Sequence, residues 1–139
     1  MTGEAYSYRG IVLKESLISG VLPPDARKCL VEEYPYALDG KEPMTVFRLI
    51  VPAEEADVVA ESLAQSLLTE KFFAQLTGTR KMLIVFPGKC VTVLRDCPET
   101  AATARLLGNQ FGIPDYQMKF ERMFDNDHPN TNQENRHER

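Results

Sequence analysis

The densest gathering of reactive side chains is Lys14-Glu15-Ser16, an ammonium, a carboxylate and a hydroxyl at the end of a β-prone run. A nucleophilic serine needs a positioned base and an oxyanion hole, yet the chain has no G-x-S-x-G turn, and its histidines, His128 and His137, stand in a polar tail. On a strand, Lys14 and Ser16 share a face while Glu15 points to the other. These residues therefore read as a strand-end cap or salt link, or as contacts to a ligand, and no catalytic residue is assigned. The run Leu76-Thr77-Gly78-Thr79-Arg80-Lys81 has the glycine and cations of a phosphate loop, but not the P-loop spacing or the helix that follows one. It predicts a hairpin turn. With Lys71, Lys89 and Arg95 in the same stretch, Arg80 and Lys81 form a modest anion-attracting patch to which Gln75 adds a polar contact. A small anionic ligand is the class such a set would take. The pairs Glu32-Glu33 and Glu54-Glu55 diverge on a strand or helix and make no dyad. Cys29, Cys90 and Cys97 have neither the spacing nor the histidine neighbours of a metal site, so no metal and no cofactor is expected.

The elements that must position these groups follow from hydrophobic periodicity. Tyr8 to Lys14 reads as a strand, and Gly20 and Pro23-Pro24 interrupt regular structure. Cys29 to Tyr36 and Met44 to Val51 read as a hairpin about the Asp39-Gly40 turn dipeptide. From Pro52 to Leu68 the residues Ala56, Val59, Ala60, Leu63 and Leu67 recur at helical spacing, with Asp57, Glu61 and Gln65 turned to water. Lys71 to Leu76, Lys81 to Phe86 and Cys90 to Arg95 form a β-meander. A second helix runs from Pro98 to Phe111, capped by Asp96 or Cys97, with Ala101, Ala104, Leu107, Gly108 and Phe111 inward, and Gly112 and Pro114 end it. Gln117 to Phe124 reads as a last strand. The order predicts an α+β fold: a ferredoxin-like split-βαβ core, mostly antiparallel, with both helices on one face and an N-terminal strand and hairpin as an extension.

At 139 residues the chain is the size of one domain, read here as residues 1–124, and residues 125–139 contain no aliphatic or aromatic side chain to order them. Net charge is −4, which disfavours general nucleic-acid binding. Only residues 71–105 are net basic, and Phe72 and Phe73 there read as core rather than as base-stacking platforms. No apolar run is long enough for a bilayer, no secretory pattern opens the chain, and an odd number of cysteines suits reduced thiols, so the expected location is cytoplasmic. Helices on one sheet face leave the other in need of a cover, which predicts a homo-oligomer, most simply a dimer.

Gly10 to Leu17 (GIVLKESL), Met82 to Lys89 (MLIVFPGK), and Gly112-Ile113-Pro114 followed by Gln117 and Phe120 resemble a family of small uncharacterised prokaryotic proteins. The resemblance implies the ferredoxin-like α+β core and brings no activity with it. That family carries a His in the first meander strand where this chain has Gln75. The functional expectation is a non-catalytic, oligomeric, cytosolic protein that binds a partner or a small ligand. The alternative is a small enzyme or anion-ligand sensor using Lys14, Glu15, Ser16 and the meander cations.

Overall fold

The structure, a computed structural model, describes residues 7–38, 40–69 and 71–125. The expectation for the tail lies outside the described residues except at Asp125. β1 (Ser7–Leu13), β2 (Leu30–Leu38), β3 (Glu42–Pro52), β4 (Ala74–Thr77), β5 (Lys81–Phe86) and β6 (Lys89–Leu94) form one six-stranded sheet in the order β2-β3-β1-β4-β5-β6. Every neighbouring pair is antiparallel. The N-terminal strand is thus central to the sheet rather than an extension of it. Because β1 runs against both β3 and β4, those two strands are parallel, joined by the helix α2 (Ala56–Ser66).

The pleat sorts side chains between two faces. On the first face, Val12, Leu49, Leu76, Leu83 and Val85 pack against α2, where Ala56, Val59, Ala60 and Leu63 of the expected stripe are buried with Ala64; Leu67, expected on the same stripe, lies past the helix end in extended backbone and bridges to Leu17. On the second, Met82, Ile84, Phe86 and Val93 meet Ala101 and Ala104 of α3 (Pro98–Gln110), together with Phe120 and Met123 of α4 (Phe120–Met123). The two long helices therefore lie on opposite faces, which corrects the expectation that both lie on one. β5 explains why: its residues Met82 to Phe86 are all buried, and such a run is satisfied only with cover on both sides. A third cluster, Ile11, Tyr36 and Val46 with Leu13, Tyr34 and Met44 against it, occupies the β2-β3-β1 half of the second face.

The expected last strand is a second correction. Asp115–Gln117 is a 3₁₀ turn and α4 follows it. Strand alternation from Met118 would bury Arg122; instead Met118, Phe120, Met123 and Phe124 are buried and Arg122 is exposed. Gly108 makes this docking fit, because a Cβ there would collide with Met118 Sδ and stand 3.2 Å from Phe86 Cε1. Gly112 ends α3 with a φ of +82°, the conformation glycine adopts without strain. The helix begins without a side-chain cap from Cys97; Thr100 instead donates its hydroxyl to the Cys97 carbonyl at 2.6 Å. The short helix α1 (Pro24–Arg27) closes the loop between β1 and β2, with Ala26 buried in the first core.

Candidate functional site

A sheet of this order has two edges, β2 and β6, and they differ in how they are defended. Edge strands carry unpaired N–H and C=O groups that invite another chain, and proteins blunt them with proline, charge and bulges. β2 has all three: Pro35 in mid-strand, Glu32 and Glu33, and a register shift between Leu30 and Glu32. β6 has none of them between Lys89 and its end, where the run is Cys90-Val91-Thr92-Val93-Leu94.

Hydrogen bonds at the end of β6 fix which of its groups point outward. In an antiparallel ladder, alternate residues turn both backbone groups toward the neighbour and the rest turn both away. The Arg95 N–H donates inward to the Arg80 carbonyl at 2.9 Å, whereas the Leu94 N–H donates outward to Thr100 Oγ1 at 2.8 Å. Cys90 and Thr92 share the phase of Leu94, so their N–H and C=O face away from β5. Among the described residues these groups meet no partner on that side.

The first face beside this edge is acidic. The Gly88 N–H donates to the Ala64 carbonyl at 2.8 Å and the Cys90 thiol to the Ala60 carbonyl at 3.5 Å, which lays α2 along β6. Asp57 and Glu61 lie in the same helical stripe as Ala60 and Ala64, and both are exposed. Burial, then Glu61 and Asp57, push the Cys90 thiol above its ordinary value. It is therefore protonated at neutral pH and a weak nucleophile. Cys29 is raised in the same way, by burial first and then by Glu55. All three cysteines are free thiols, and among the described residues no group of His, Cys, Asp and Glu is placed to hold a metal. Lys89 is opposite Phe86 in the ladder and so belongs to the second face, away from the carboxylates.

The residues singled out in the sequence do not converge. Ser16 is fully buried and its hydroxyl donates to the Leu13 carbonyl at 2.6 Å, within the 3₁₀ turn Lys14–Ser16. Glu15 accepts the Thr45 N–H at 2.9 Å, fastening the start of β3, and Lys14 is exposed beside them. Gln75 lies buried in mid-sheet opposite Ile11. Arg80 and Lys81 are exposed at the β4–β5 turn, beyond the Arg9–Thr77 pair. Lys14 and Arg80 are thus at opposite ends of β1, about 20 Å apart at the rise of a strand. The cations at the turn end are drawn to the chain itself: Arg95 donates to the Thr79 carbonyl, pairs with Asp125 at 3.3 Å and lies over the Phe124 ring. Arg9 donates to the Phe124 carbonyl at 3.0 Å.

The open edge went unread in the sequence because it depends on strand order. The uncharged β-prone run from Cys90 to Leu94 is visible there, but nothing local says that the strand has only one neighbour among the described residues. No protein-family model matches the chain, and no curated protein or solved structure matches it.

Proposed function

We propose that this is a non-catalytic binding protein that takes an extended segment of a partner as a seventh strand along β6. The observation that carries the reading is the contrast between edges, one defended by proline, charge and a bulge, the other presenting the outward N–H and C=O of Cys90 and Thr92. Main-chain pairing of this kind supplies affinity, and flanking side chains supply selectivity. Thr92→Pro is the direct test. It removes an N–H that the internal ladder does not use, so partner binding is lost while the melting curve stays close to that of the parent. Binding that survives in a folded Thr92→Pro protein would defeat the reading.

A homo-oligomer is the second reading, favoured by the self-complementarity of the same groups. Antiparallel pairing that sets Cys90 of one copy opposite Thr92 of the other employs the outward groups of both residues in both copies. The free thiols support a reducing, cytoplasmic location. β3, α2 and β4 about β1 form one split βαβ unit, which supports a ferredoxin-like core over that half of the sheet. The anion-ligand alternative has to draw on one end of β1 alone, and there its cations compete with the contacts already made by Phe124 and Asp125.

A further inference from the structure

What flanks an edge decides what joins it. A strand added to β6 would lie about 4.8 Å from it, with alternate side chains rising on the first face beside α2. There they meet Asp57 and Glu61, both exposed, on the helical stripe whose Ala60 and Ala64 carbonyls touch Cys90 and Gly88. The cations of β6 and its end do not screen these carboxylates, since Lys89 belongs to the second face and Arg95 is engaged by Thr79 and Asp125. The site is short. The Pro87-Gly88 turn closes one end, and the Leu94 N–H, held by Thr100 Oγ1 at 2.8 Å, closes the other.

We propose that the partner segment is basic: an extended strand with Lys or Arg at alternate positions, facing Asp57 and Glu61, and small or β-branched residues between them. This rests on the edge-pairing reading and adds the chemistry of the partner to it. Charge complementarity selects such a segment over a second copy, because a second copy would bring its own Asp57 and Glu61 toward the same carboxylates.

The test measures fluorescence anisotropy of a short labelled peptide alternating lysine and valine, titrated with the full chain. Saturable binding is expected, weakening about tenfold between low and physiological salt because the carboxylates are exposed. Methylating the peptide amides that face β6 abolishes it, as does Thr92→Pro in the protein. Asp57→Asn with Glu61→Gln lowers affinity about tenfold, and a peptide with glutamate in place of lysine does not bind. Equal binding of the glutamate peptide, or an affinity unmoved by the double substitution, overturns the basic partner and leaves edge pairing standing. Binding that tolerates both amide methylation and Thr92→Pro overturns edge pairing itself. Absence of peptide binding, with a doubled light-scattering mass that Thr92→Pro returns to that of one chain, assigns the edge to a second copy and overturns the basic segment. Absence of both overturns the two readings together.

Discussion

Thr100 serves two elements with one hydroxyl, accepting the Leu94 N–H at 2.8 Å and donating to the Cys97 carbonyl at 2.6 Å. The sequence predicts Asp96 or Cys97 as the cap of α3, but Cys97 stands at the cap position without a side-chain bond, and the Thr100 hydroxyl ties the end of β6 to the helix start rather than capping a free N–H of the first turn. Thr100→Val keeps the shape and loses both bonds, so it is expected to cost about 1 kcal/mol in denaturant unfolding, while Thr100→Ser costs a few tenths. Cys90 gives a second prediction. Its thiol is raised by burial and by Glu61 and Asp57, so removing a neighbouring charge lowers it and exposes more thiolate at a given pH. Alkylation by iodoacetamide at pH 8, followed by mass spectrometry, should be faster in Glu61→Gln than in the parent; an unchanged rate would place Glu61 too far away to matter at the edge. Gly108 shows a residue whose role is read from composition but whose reason is not. A glycine on the inward stripe of α3 leaves room for a close approach, but the groups that approach, Phe86 of β5 and Met118 just ahead of α4, follow from tertiary packing and not from the local pattern.

At the scale of elements, α2 was the most legible because one stripe faces one core, and Ala56, Val59, Ala60 and Leu63 lie buried as their spacing requires. The C-terminal segment was the least legible. Gln117 to Phe124 alternates apolar and polar residues through Phe120, and the break at Arg122-Met123 is a single phase change in a short window, too little to separate strand from turn-and-helix. Once formed, α4 is held to α3 by Arg105, which donates to both oxygens of Glu121 at 2.8 and 3.1 Å and to the Met118 carbonyl at 3.2 Å. That hydrogen bonding, ahead of an opposing effect of burial, holds the Glu121 carboxyl below its ordinary value of 4.5. A carboxyl depressed in the folded state stabilises fully above its unfolded value and loses that contribution as pH falls through the folded one. Stability should therefore fall below about pH 4.5, and Glu121→Gln should remove part of that slope without changing the plateau near neutrality much, since half-exposed pairs contribute little. Chemical denaturation at a series of pH values reads both. Phe120 is fully buried at the centre of this segment, so Phe120→Ala should cost about 3 to 5 kcal/mol in the same assay; a cost under 1 kcal/mol would mean that α4 is not part of the second core.

For the whole molecule, the decisive fact is that the sheet is covered from both sides by its own chain along β5, where Met82 to Phe86 are all buried. Two helices on one face would leave the alternate residues of the strands unclaimed and call for a second copy to cover them. Met82, Ile84 and Phe86 were among those residues, and α3 and α4 bury them within one chain. The apolar area that was to drive self-association is to that extent already spent on folding, where burying each such side chain is worth about 1.5 to 3 kcal/mol. Besides scattered exposed apolar side chains such as Ile18, Val31 and Leu106, the fold leaves for association a backbone edge, whose few hydrogen bonds contribute about 0.5 to 1.5 kcal/mol each, with carboxylates beside it that repel their own kind. On the proposed reading, such an edge pairs weakly with itself and more strongly with a basic strand. Light scattering coupled to size-exclusion chromatography at micromolar concentration and low salt should accordingly give a mass near 15.7 kDa. Raising the salt should be the condition that promotes any self-association, because screening removes the repulsion between the Asp57 and Glu61 sets while leaving the backbone rungs intact. A doubled mass at low salt that fell as salt was added would reverse this order and point to opposite charges, not main-chain pairing, as the basis of the contact.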